Sequence, residues 1–437
     1  MNIIHLLSFE FTHFTRDKSK FLSYLLFTFA CLYAIFNGFE LQNKQRKTIE
    51  NIKIEQQKEI QKVLSWFDEG KKGPLDRSWV DIHDPYWSLL YTPTYTIKQS
   101  SPLLPLGIGQ SELYGYYKKV TIWSSTYDND MVEEIANPER LVNGNIDFSF
   151  LVIYLLPPLL IVLTYNIGGL EKDAHFERLV KIQFGSIVKW LGFRFSFYVI
   201  MLVLTVVTFI LGVAYINSGL HLWTSNLGGL LLLSVGYILF FSTLFFGVLI
   251  YSSGSRSNAF NMMFFWLVLC LIVPSSIHQY VSMKVPVNYM TDFLDVNRKE
   301  AYGTYSLPTE ELSKRLFDMY PKILETEKAK ESLLDEKIVR RSVSALINKM
   351  NKGAIEKIEQ KNELKNQLIC SSYWLNPISF VQNQWNLHTN SDYYAYKKYR
   401  ENVQQSIDQK ISLLIFDTWN NKNITKKDYE QYIQEFK

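Results

Sequence analysis

Long apolar runs alternate with polar stretches along this chain, and the pattern predicts an integral membrane protein. The runs predicted to cross the membrane as helices are residues 21–41, 148–167, 195–216, 227–251 and 262–277. Basic residues precede the first run, as in a signal peptide, but the run is too long for a signal core and no convincing small-residue cleavage site follows it. We therefore expect it to remain as an anchor.

The basic residues between the runs predict which side of the membrane each loop occupies. The stretch between the second and third runs is the most basic of these, with Lys172, Arg178, Lys181, Lys189 and Arg194. The loop at 217–226 has no Lys or Arg, and the loop at 252–261 carries Arg256 and no acid. Because basic loops stay in the cytoplasm, the N-terminus is predicted inside and, after five crossings, the C-terminus outside.

These observations predict an α-helical integral membrane protein with about five transmembrane helices and extracytoplasmic regions that are mostly helical or α+β. Residues 1–41 would hold the cytoplasmic N-terminus and the first transmembrane helix, and residues 42–147 an extracytoplasmic domain. Residues 148–280 would hold transmembrane helices two to five, with a cytoplasmic segment at 168–194. Residues 281–437 would form an extracytoplasmic helical region.

Two of the predicted helices carry residues that indicate where a helix ends or bends. Apolar positions recur at helical spacing through residues 43–67, which predicts that the first helix continues out of the membrane until Gly70, Gly73 and Pro74 end it. Pro157-Pro158 in the second run predicts a bend, because proline removes a backbone donor.

The C-terminal region lacks a run that could cross the membrane. Residues 309–368 mix Lys and Glu and predict long solvent-exposed helices or a helical hairpin, which Gly353 interrupts, or simply a solvated spacer. The run ISLLIF at 411–416 is too short to cross and is interpreted as one face of a buried helix.

Composition and motifs argue against several functions. The net charge is only +4 and no basic tract is concentrated, so nucleic-acid binding is not indicated. The cysteines and histidines lack metal-ligand spacing, and neither a P-loop nor a GxSxG elbow occurs. Gly107-Ile108-Gly109 begins like a dinucleotide fingerprint, but Glu112 stands at the third glycine and a turn is favoured. Ionisable residues are predicted to be absent from the spans. We therefore expect a chain that is not an enzyme and binds neither metal nor cofactor.

The charged segment after the second run resembles a known family. Glu171-Lys172-Asp173, followed by Leu179 as an apolar anchor, is similar to the coupling segment of the membrane subunits of ABC type-2 transporters, where E-[RK]-E/D-x-G-T-L-x-x-L is usual. His175 and Phe176 stand where that family has small residues.

Other stretches resemble the subgroup with a large extracytoplasmic insertion after the first helix, as in the permeases of nitrous-oxide-reductase maturation systems. Residues 102–114, PLLPLGIGQSELY, resemble the signature P-L-x-x-L-x-x-G-Q-S-D-L-Y. Asn137-Pro138 with residues 148–165 also fits, and residues 376–383, NPISFVQN, look like the C-terminal part. The chain departs from most such permeases because a sixth span is missing.

The resemblance implies a permease subunit of the bacterial inner membrane that couples ATP hydrolysis to substrate movement, with export as the expected direction. ATP and Mg would bind a separate ABC ATPase subunit, and a second permease copy or a similar permease would complete the pathway. The bilayer and, as an open alternative, a periplasmic protein are further partners. The residues implied in ATPase coupling are Glu171, Lys172, Phe176, Glu177, Arg178 and Leu179.

Three alternatives remain open. One is a mechanotransmission or scaffold protein whose outer domains act on a periplasmic partner without passing a substrate. Another is that the segment at 168–194 is an interfacial helix facing lipid headgroups. A membrane-anchored sensor is weaker, because five spans exceed what an anchor needs and no signalling domain is recognisable.

Overall fold

The chain folds into an α-helical membrane protein, as the apolar runs predict. The computed structural model describes residues 3–111, 114–127, 146–174, 176–218, 225–251, 254–287, 295–331 and 335–436. Four helices are long and apolar enough to cross a membrane, and the apolar helix Phe148–Thr164 is shorter. Within these ranges the only sheet is one two-stranded antiparallel hairpin.

The elements fall into two series in chain order. The first series ends at residue 284 and contains the long apolar helices together with three short elements of the polar stretch 85–120: α1 (Ile3–Arg16), α2 (Lys18–Asp68), α3 (Pro85–Leu90), β1 (Thr94–Ile97), β2 (Tyr117–Val120), α4 (Phe148–Thr164), α5 (Gly169–Asp173), α6 (Glu177–Phe184), α7 (Ile187–Ser218), α8 (Ser225–Tyr251) and α9 (Ser255–Lys284). The second series is polar: α10 (Asp295–Tyr305), α11 (Thr309–Met319), α12 (Glu336–Arg341), α13 (Val343–Ser371), α14 (Pro377–Thr389), α15 (Tyr393–Trp419) and α16 (Lys426–Glu435).

Helix α4 lies at the centre of a bundle formed with α1, α7, α8, α9 and the first half of α2, which we call the apolar bundle. It packs against α2, α7, α8 and α9, and Leu151, Leu156 and Leu160 are fully buried. A helix that is apolar all round needs such a cover. The surrounding helices instead expose large apolar side chains such as Phe36 and Leu232, as expected of surfaces in contact with lipid.

Two helices of the apolar bundle contain a π-helical turn directly ahead of a proline. The turn Leu151–Leu155 precedes Pro157 in α4, and the turn Val268–Ile272 precedes Pro274 in α9. Proline cannot donate to the carbonyl four residues earlier and its ring clashes with it, so the helix widens locally. The structure thus has a π turn directly before Pro157-Pro158, and the bend predicted there stays a prediction.

The carbonyl groups freed by Pro157 and Pro158 find partners on neighbouring helices. The hydroxyl of Tyr237 in α8 donates to the carbonyl of Ile153. The indole N–H of Trp266 in α9 donates to the carbonyl of Tyr154 at 3.1 Å. In a lipid environment every backbone polar group must be paired inside the protein, so these two bonds make the double proline tolerable.

The polar stretches before and after the apolar runs pack together, and we call residues 43–127 with 295–436 the polar domain. One buried cluster joins Val120 of β2 to Leu312, Val339 and Ile407. A second joins Val63, Trp66 and Ile122 to Leu414 and Tyr429, among others. The two stretches at 42–147 and 281–437 are separated in the sequence by residues of the apolar bundle, but in the structure they share hydrophobic cores.

Helix α14 connects the polar domain to the apolar bundle. It packs against α8 and the π turns of α4 and α9, and its Trp385 is fully buried in the bundle's core. The indole N–H of Trp385 donates to the carbonyl of Leu106 at 2.8 Å. At the same end, Asp147 caps α4 and accepts a hydrogen bond from the backbone N–H of Ile108 at 2.9 Å.

Several local predictions meet a definite outcome. Helix α2 continues to Asp68, and the ISLLIF run is a buried face of α15, as predicted. Residues 309–368 are largely helical, as predicted, and α13 has 29 residues. The expectation that these helices are solvent-exposed, or that the region is a solvated spacer, is wrong, because α11, α12 and α13 bury apolar faces in the polar domain. Gly353 does not interrupt α13, since those buried contacts outweigh its weak helix propensity. Helix α9 begins at Ser255, inside the loop predicted at 252–261.

Candidate functional site

The candidate site is the pair of short helices α5 and α6 that joins α4 to α7, together with the residues that hold them. Gly168, with φ of +71°, turns the chain out of α4 in a left-handed conformation, and a Cβ there would overlap the side chain of Leu191. A Cβ at Gly169 would lie 2.6 Å from the backbone nitrogen of Ser255. Glycine is therefore required where α5 meets the start of α9.

A buried charged network lies beneath α5. Arg194 of α7 is only 5% exposed, and its guanidinium binds the carboxylates of Glu10 in α1 and Glu171 in α5, the latter at 2.8 Å. The hydroxyl of Tyr198 donates to the second oxygen of Glu10 at 3.1 Å. The ring of Trp190 covers the guanidinium, 4.7 Å away. One arginine thus joins α1, α5 and α7 through charge-assisted bonds.

A second buried cation lies beside this network. Lys20, near the start of α2, is 1% exposed and donates to the side-chain oxygen of Asn166 at 2.8 Å. Its ammonium lies 4.9 Å from the centre of the Tyr198 ring. The prediction that ionisable residues are absent from the spans is wrong at Glu40, which lies within the run 21–41. The helices also begin before the predicted runs, so that Lys20 and Arg194, each one residue ahead of a run, lie within the long helices α2 and α7. Hydrogen bonds and opposite charges compensate their burial.

Helix α5 is also held by the ends of α8 and α9. The ammonium of Lys172 donates to the carbonyl of Leu249 in α8 at 3.4 Å. The carboxylate of Asp173 accepts from the backbone N–H of Ser255 at the start of α9 at 3.3 Å. Through these bonds and Glu171, α5 contacts three of the long apolar helices.

Helix α6 has two different faces. Val180 and Phe184, four residues apart, pack against the core of the apolar bundle. Leu179 and Ile182, three residues apart, lie on the other face and are 53% and 83% exposed, and Phe176 at the helix start is 57% exposed. Gly185, with φ of +72°, ends the helix. Apolar side chains in an exposed patch of this kind indicate a contact surface for lipid or for a protein.

The residues predicted from sequence divide into two groups. Glu171 and Lys172 turn inward and bond to the chain's own helices. Phe176, Arg178 and Leu179 are exposed on the outer side of the segment. Glu177 begins α6, but its side chain and the whole of His175 lie outside the described residues, as does Asn137-Pro138.

Sequence reasoning missed Glu10 and Ile182. Glu10 is the one acid within residues 3–16 and stands between Phe9 and Phe11, and an acid among apolar residues is the sequence signal that a charged partner is needed. Its partner Arg194 lies 184 residues away, and no motif in the sequence around Arg194 identifies it as that partner. Ile182 continues the spacing of Leu179 along α6, so helical periodicity alone would have found it.

Metal chemistry receives no support from the part of the chain that the structure describes, where no three His, Cys, Asp or Glu residues are grouped to hold an ion. Comparison with known proteins found no matching family model and no significantly similar curated protein or solved structure.

Proposed function

We propose that this chain is the membrane-spanning subunit of an ABC-type transporter, in which a separate ATPase binds the α5–α6 segment and drives movement of the long helices. The observation that carries the proposal is that this segment combines an exposed apolar surface with bonds to the long helices. Helix α6 offers an exposed apolar patch at Phe176, Leu179 and Ile182, while α5 is bonded to α7, α8 and α9. A partner that moves the patch would move the helices.

The proposed orientation has the α5–α6 segment in the cytoplasm and the polar domain outside, in a bacterial inner membrane. Arg178, Lys181, Lys189 and Arg256 lie at the α5–α6 end of the apolar bundle, which suits the cytoplasmic side. Helix α4, though short, would be a fifth crossing, supported by its burial among the other helices. Two permease copies, identical or similar, would form the transport pathway.

We further propose different roles for the two groups of residues. Phe176, Arg178 and Leu179 would contact the ATPase, because they are exposed. Glu171 and Lys172 would transmit the movement, because they bond to α7 and α8. Glu171→Gln should therefore retain the ATPase but lower the hydrolysis of ATP that the permease stimulates. Loss of binding in Glu171→Gln would argue that Glu171 is itself a contact residue.

The test is co-purification of the full chain in detergent with the ATPase encoded by a neighbouring gene. Leu179→Asp places a charge in the exposed apolar patch and should weaken the complex by about tenfold or more. The control is Leu75→Asp, which makes the same change at a residue that is 91% exposed in the polar domain. This control should retain the ATPase at the wild-type level.

Two outcomes would overturn the proposal. A wild-type chain that binds no ATPase removes the transporter hypothesis. Equal retention of the ATPase by wild type and Leu179→Asp, with loss of binding to anionic lipid vesicles only in the variant, would identify α6 as an interfacial helix.

A second candidate function, mechanotransmission to a partner outside the membrane, is favoured by helix α2. This helix has 51 residues without a break, so at about 1.5 Å per residue it is about 75 Å long in total and runs from the apolar bundle into the polar domain. Its far end is fixed in the domain's core by Val63 and Trp66. A rigid helix of this kind would carry movement outward without a substrate pathway.

An insertion in α2 separates the two functions. Two glycines placed after Lys47 would make the helix flexible between the apolar bundle and the polar domain. If the chain works by mechanotransmission, ATP-dependent changes in amide hydrogen exchange within α13–α15 should disappear in the insertion variant, while the ATPase remains bound. Changes that persist in this variant would argue against α2 as the transmitting element.

A further inference from the structure

A cavity in the polar domain is lined by polar and charged side chains for which the proposed role of the α5–α6 segment gives no function. It has a volume of about 340 Å³ and lies among α13, α14, α15, the turn at Gly109–Ser111 and His278 of α9. A volume near the lower end of the usual range for ligand sites suits a small molecule of monosaccharide or disaccharide size. The cavity adjoins the outer end of α9 and so lies where the polar domain meets the apolar bundle.

The cavity wall is rich in amide groups. Gln110, Asn366, Asn383, Gln384 and Asn386 all line it. Asn383 donates to the hydroxyl of Tyr373 and Asn366 donates to the hydroxyl of Tyr394, each at 2.8 Å. Among the described residues, no hydrogen bond occupies the side-chain oxygen of either asparagine.

These bonds leave both kinds of hydrogen-bonding group available to a ligand. The asparagine oxygens accept hydrogen bonds from hydroxyl groups. A tyrosine hydroxyl that accepts from an amide keeps its own proton, so Tyr373 and Tyr394 can donate it to a ligand oxygen. Such a set of alternating donors and acceptors matches a molecule with several hydroxyl groups.

The charges of the lining leave one cation without a partner. Arg400 is bound by Glu359 at 2.6 Å, and Asp392 lies beside the ammonium of Lys98. Lys365 has no carboxylate within ion-pair distance among the described residues. Burial, and then the charge of Lys361 one turn away, lowers the pKa of Lys365. An anionic ligand would offset the repulsion from Lys361 and favour the charged form of Lys365.

We propose that this cavity binds a small carboxylate that carries several hydroxyl groups, of the sugar-acid class, with Lys365 holding the carboxylate and the Asn and Tyr side chains holding the hydroxyls. The site is independent of the transporter proposal, since none of the residues that line it belongs to the α5–α6 segment. A site of this kind at the outer end of the apolar bundle suits either cargo capture or sensing.

The chain contains a natural reporter of occupancy. Cys370 lines the cavity, whereas Cys31 and Cys270 are fully buried in the apolar bundle. In the folded full chain in detergent, N-ethylmaleimide should therefore alkylate Cys370 first, with the adduct located by mass spectrometry. The probes are D-glucuronate and D-galacturonate. D-glucose serves as a control with hydroxyl groups but no carboxylate, and acetate as a control with a carboxylate but no hydroxyl groups.

The expected result is that a uronate slows alkylation of Cys370 and that glucose or acetate needs at least about tenfold higher concentration for the same protection. Lys365→Gln should remove the preference for the uronate over glucose, and Lys365→Arg should keep it. Lys357→Gln makes the same charge change on an exposed face of the same helix outside the cavity, and it should behave as wild type.

Three results would overturn the proposal. The first is no protection by either uronate up to about 50 mM, where a millimolar site would be nearly full. The second is protection by glucose equal to that by the uronates in the wild type. The third is an unchanged uronate preference in Lys365→Gln, which would show that another group holds the carboxylate.

Discussion

Two buried arginines, one in the apolar bundle and one in the polar domain, are satisfied in different ways. Arg194 and Arg400 are 5% and 6% exposed, and each binds a glutamate from another helix and lies against aromatic rings. Arg400 of α15 binds Glu359 of α13, whose carboxylate also accepts hydrogen bonds from Tyr127 and Tyr393. That carboxylate is saturated by donors.

Arg194 instead divides its guanidinium between two carboxylates on different elements. Glu10 comes from α1 and Glu171 from α5, and the second oxygen of Glu171 is buried without a hydrogen-bond partner among the residues that the structure describes. A buried oxygen without a donor costs free energy that a shift of α5 could recover. Both oxygens of Glu359 therefore have donors in the Arg400 pair, whereas the Arg194 network leaves one oxygen of Glu171 without a donor among the described residues, and α5 depends also on its bonds to α8 and α9.

The largest expected effect is on the Arg194 network. Arg194→Met removes the cation shared by Glu10 and Glu171 and leaves the fully buried carboxylate of Glu10 and the partly buried carboxylate of Glu171 without it, so unfolding should become easier by about 3–5 kcal/mol. The measurement is the free energy of unfolding in detergent micelles. Lys189→Met, an exposed residue on the same helix, serves as control and should change little. A wild-type stability of Arg194→Met would mean that the network contributes nothing to the fold.

A smaller loss is expected at the second arginine. Arg400→Met should destabilise the polar domain by about 2–3 kcal/mol, because the hydroxyls of Tyr127 and Tyr393 still donate to the Glu359 carboxylate. The same measurement applies, with the exposed Lys398→Met on the same helix as control. A loss in Arg400→Met larger than that in Arg194→Met would reverse the comparison.

The smallest expected effect is a loss of stability at acidic pH that is caused by protonation of Glu359. Burial alone would raise the pKa of Glu359, but the hydrogen bond and charge of Arg400, with the two tyrosine hydroxyls, outweigh it and hold the pKa below its ordinary value of 4.5. A carboxyl whose pKa is lowered by folding stabilises the fold fully above its unfolded pKa. That stabilisation is lost as the pH falls through the lower folded pKa.

Thermal unfolding in detergent, followed from about pH 3 to about pH 7, checks this prediction. The wild type should lose stability below about pH 4.5 more steeply than Glu359→Gln does. Glu356→Gln, an exposed residue on the same helix, should retain the wild-type slope. If the stability of the wild type and that of Glu359→Gln fall in parallel as the pH is lowered, the Glu359–Arg400 pair does not contribute to the loss of stability in acid.

The apolar helices and the long extension of α2 follow from the sequence, since both are local properties of the chain. A run such as 227–251 has no other stable place than a bilayer or a buried core, and α8 begins and ends within two residues of that prediction. The apolar positions of residues 43–67 recur at helical spacing, which a single helix satisfies. Phe176 and Leu179 in the candidate site were instead named from the resemblance to a coupling segment, and their exposure is a finding of the structure.

Only the tertiary structure decided how distant parts of the chain meet. The prediction of exposed helices at 309–368 failed because their apolar positions are sparse, and the surface that buries them includes β2, far away in the sequence. Glu10 and Arg194 could not be paired from sequence, because a charge carries no periodicity that identifies its partner. The cavity around Lys365 likewise exists only where α13, α14 and α15 converge. Hydrophobic runs specify elements locally, whereas buried polar groups depend on the packing that brings their partners within reach.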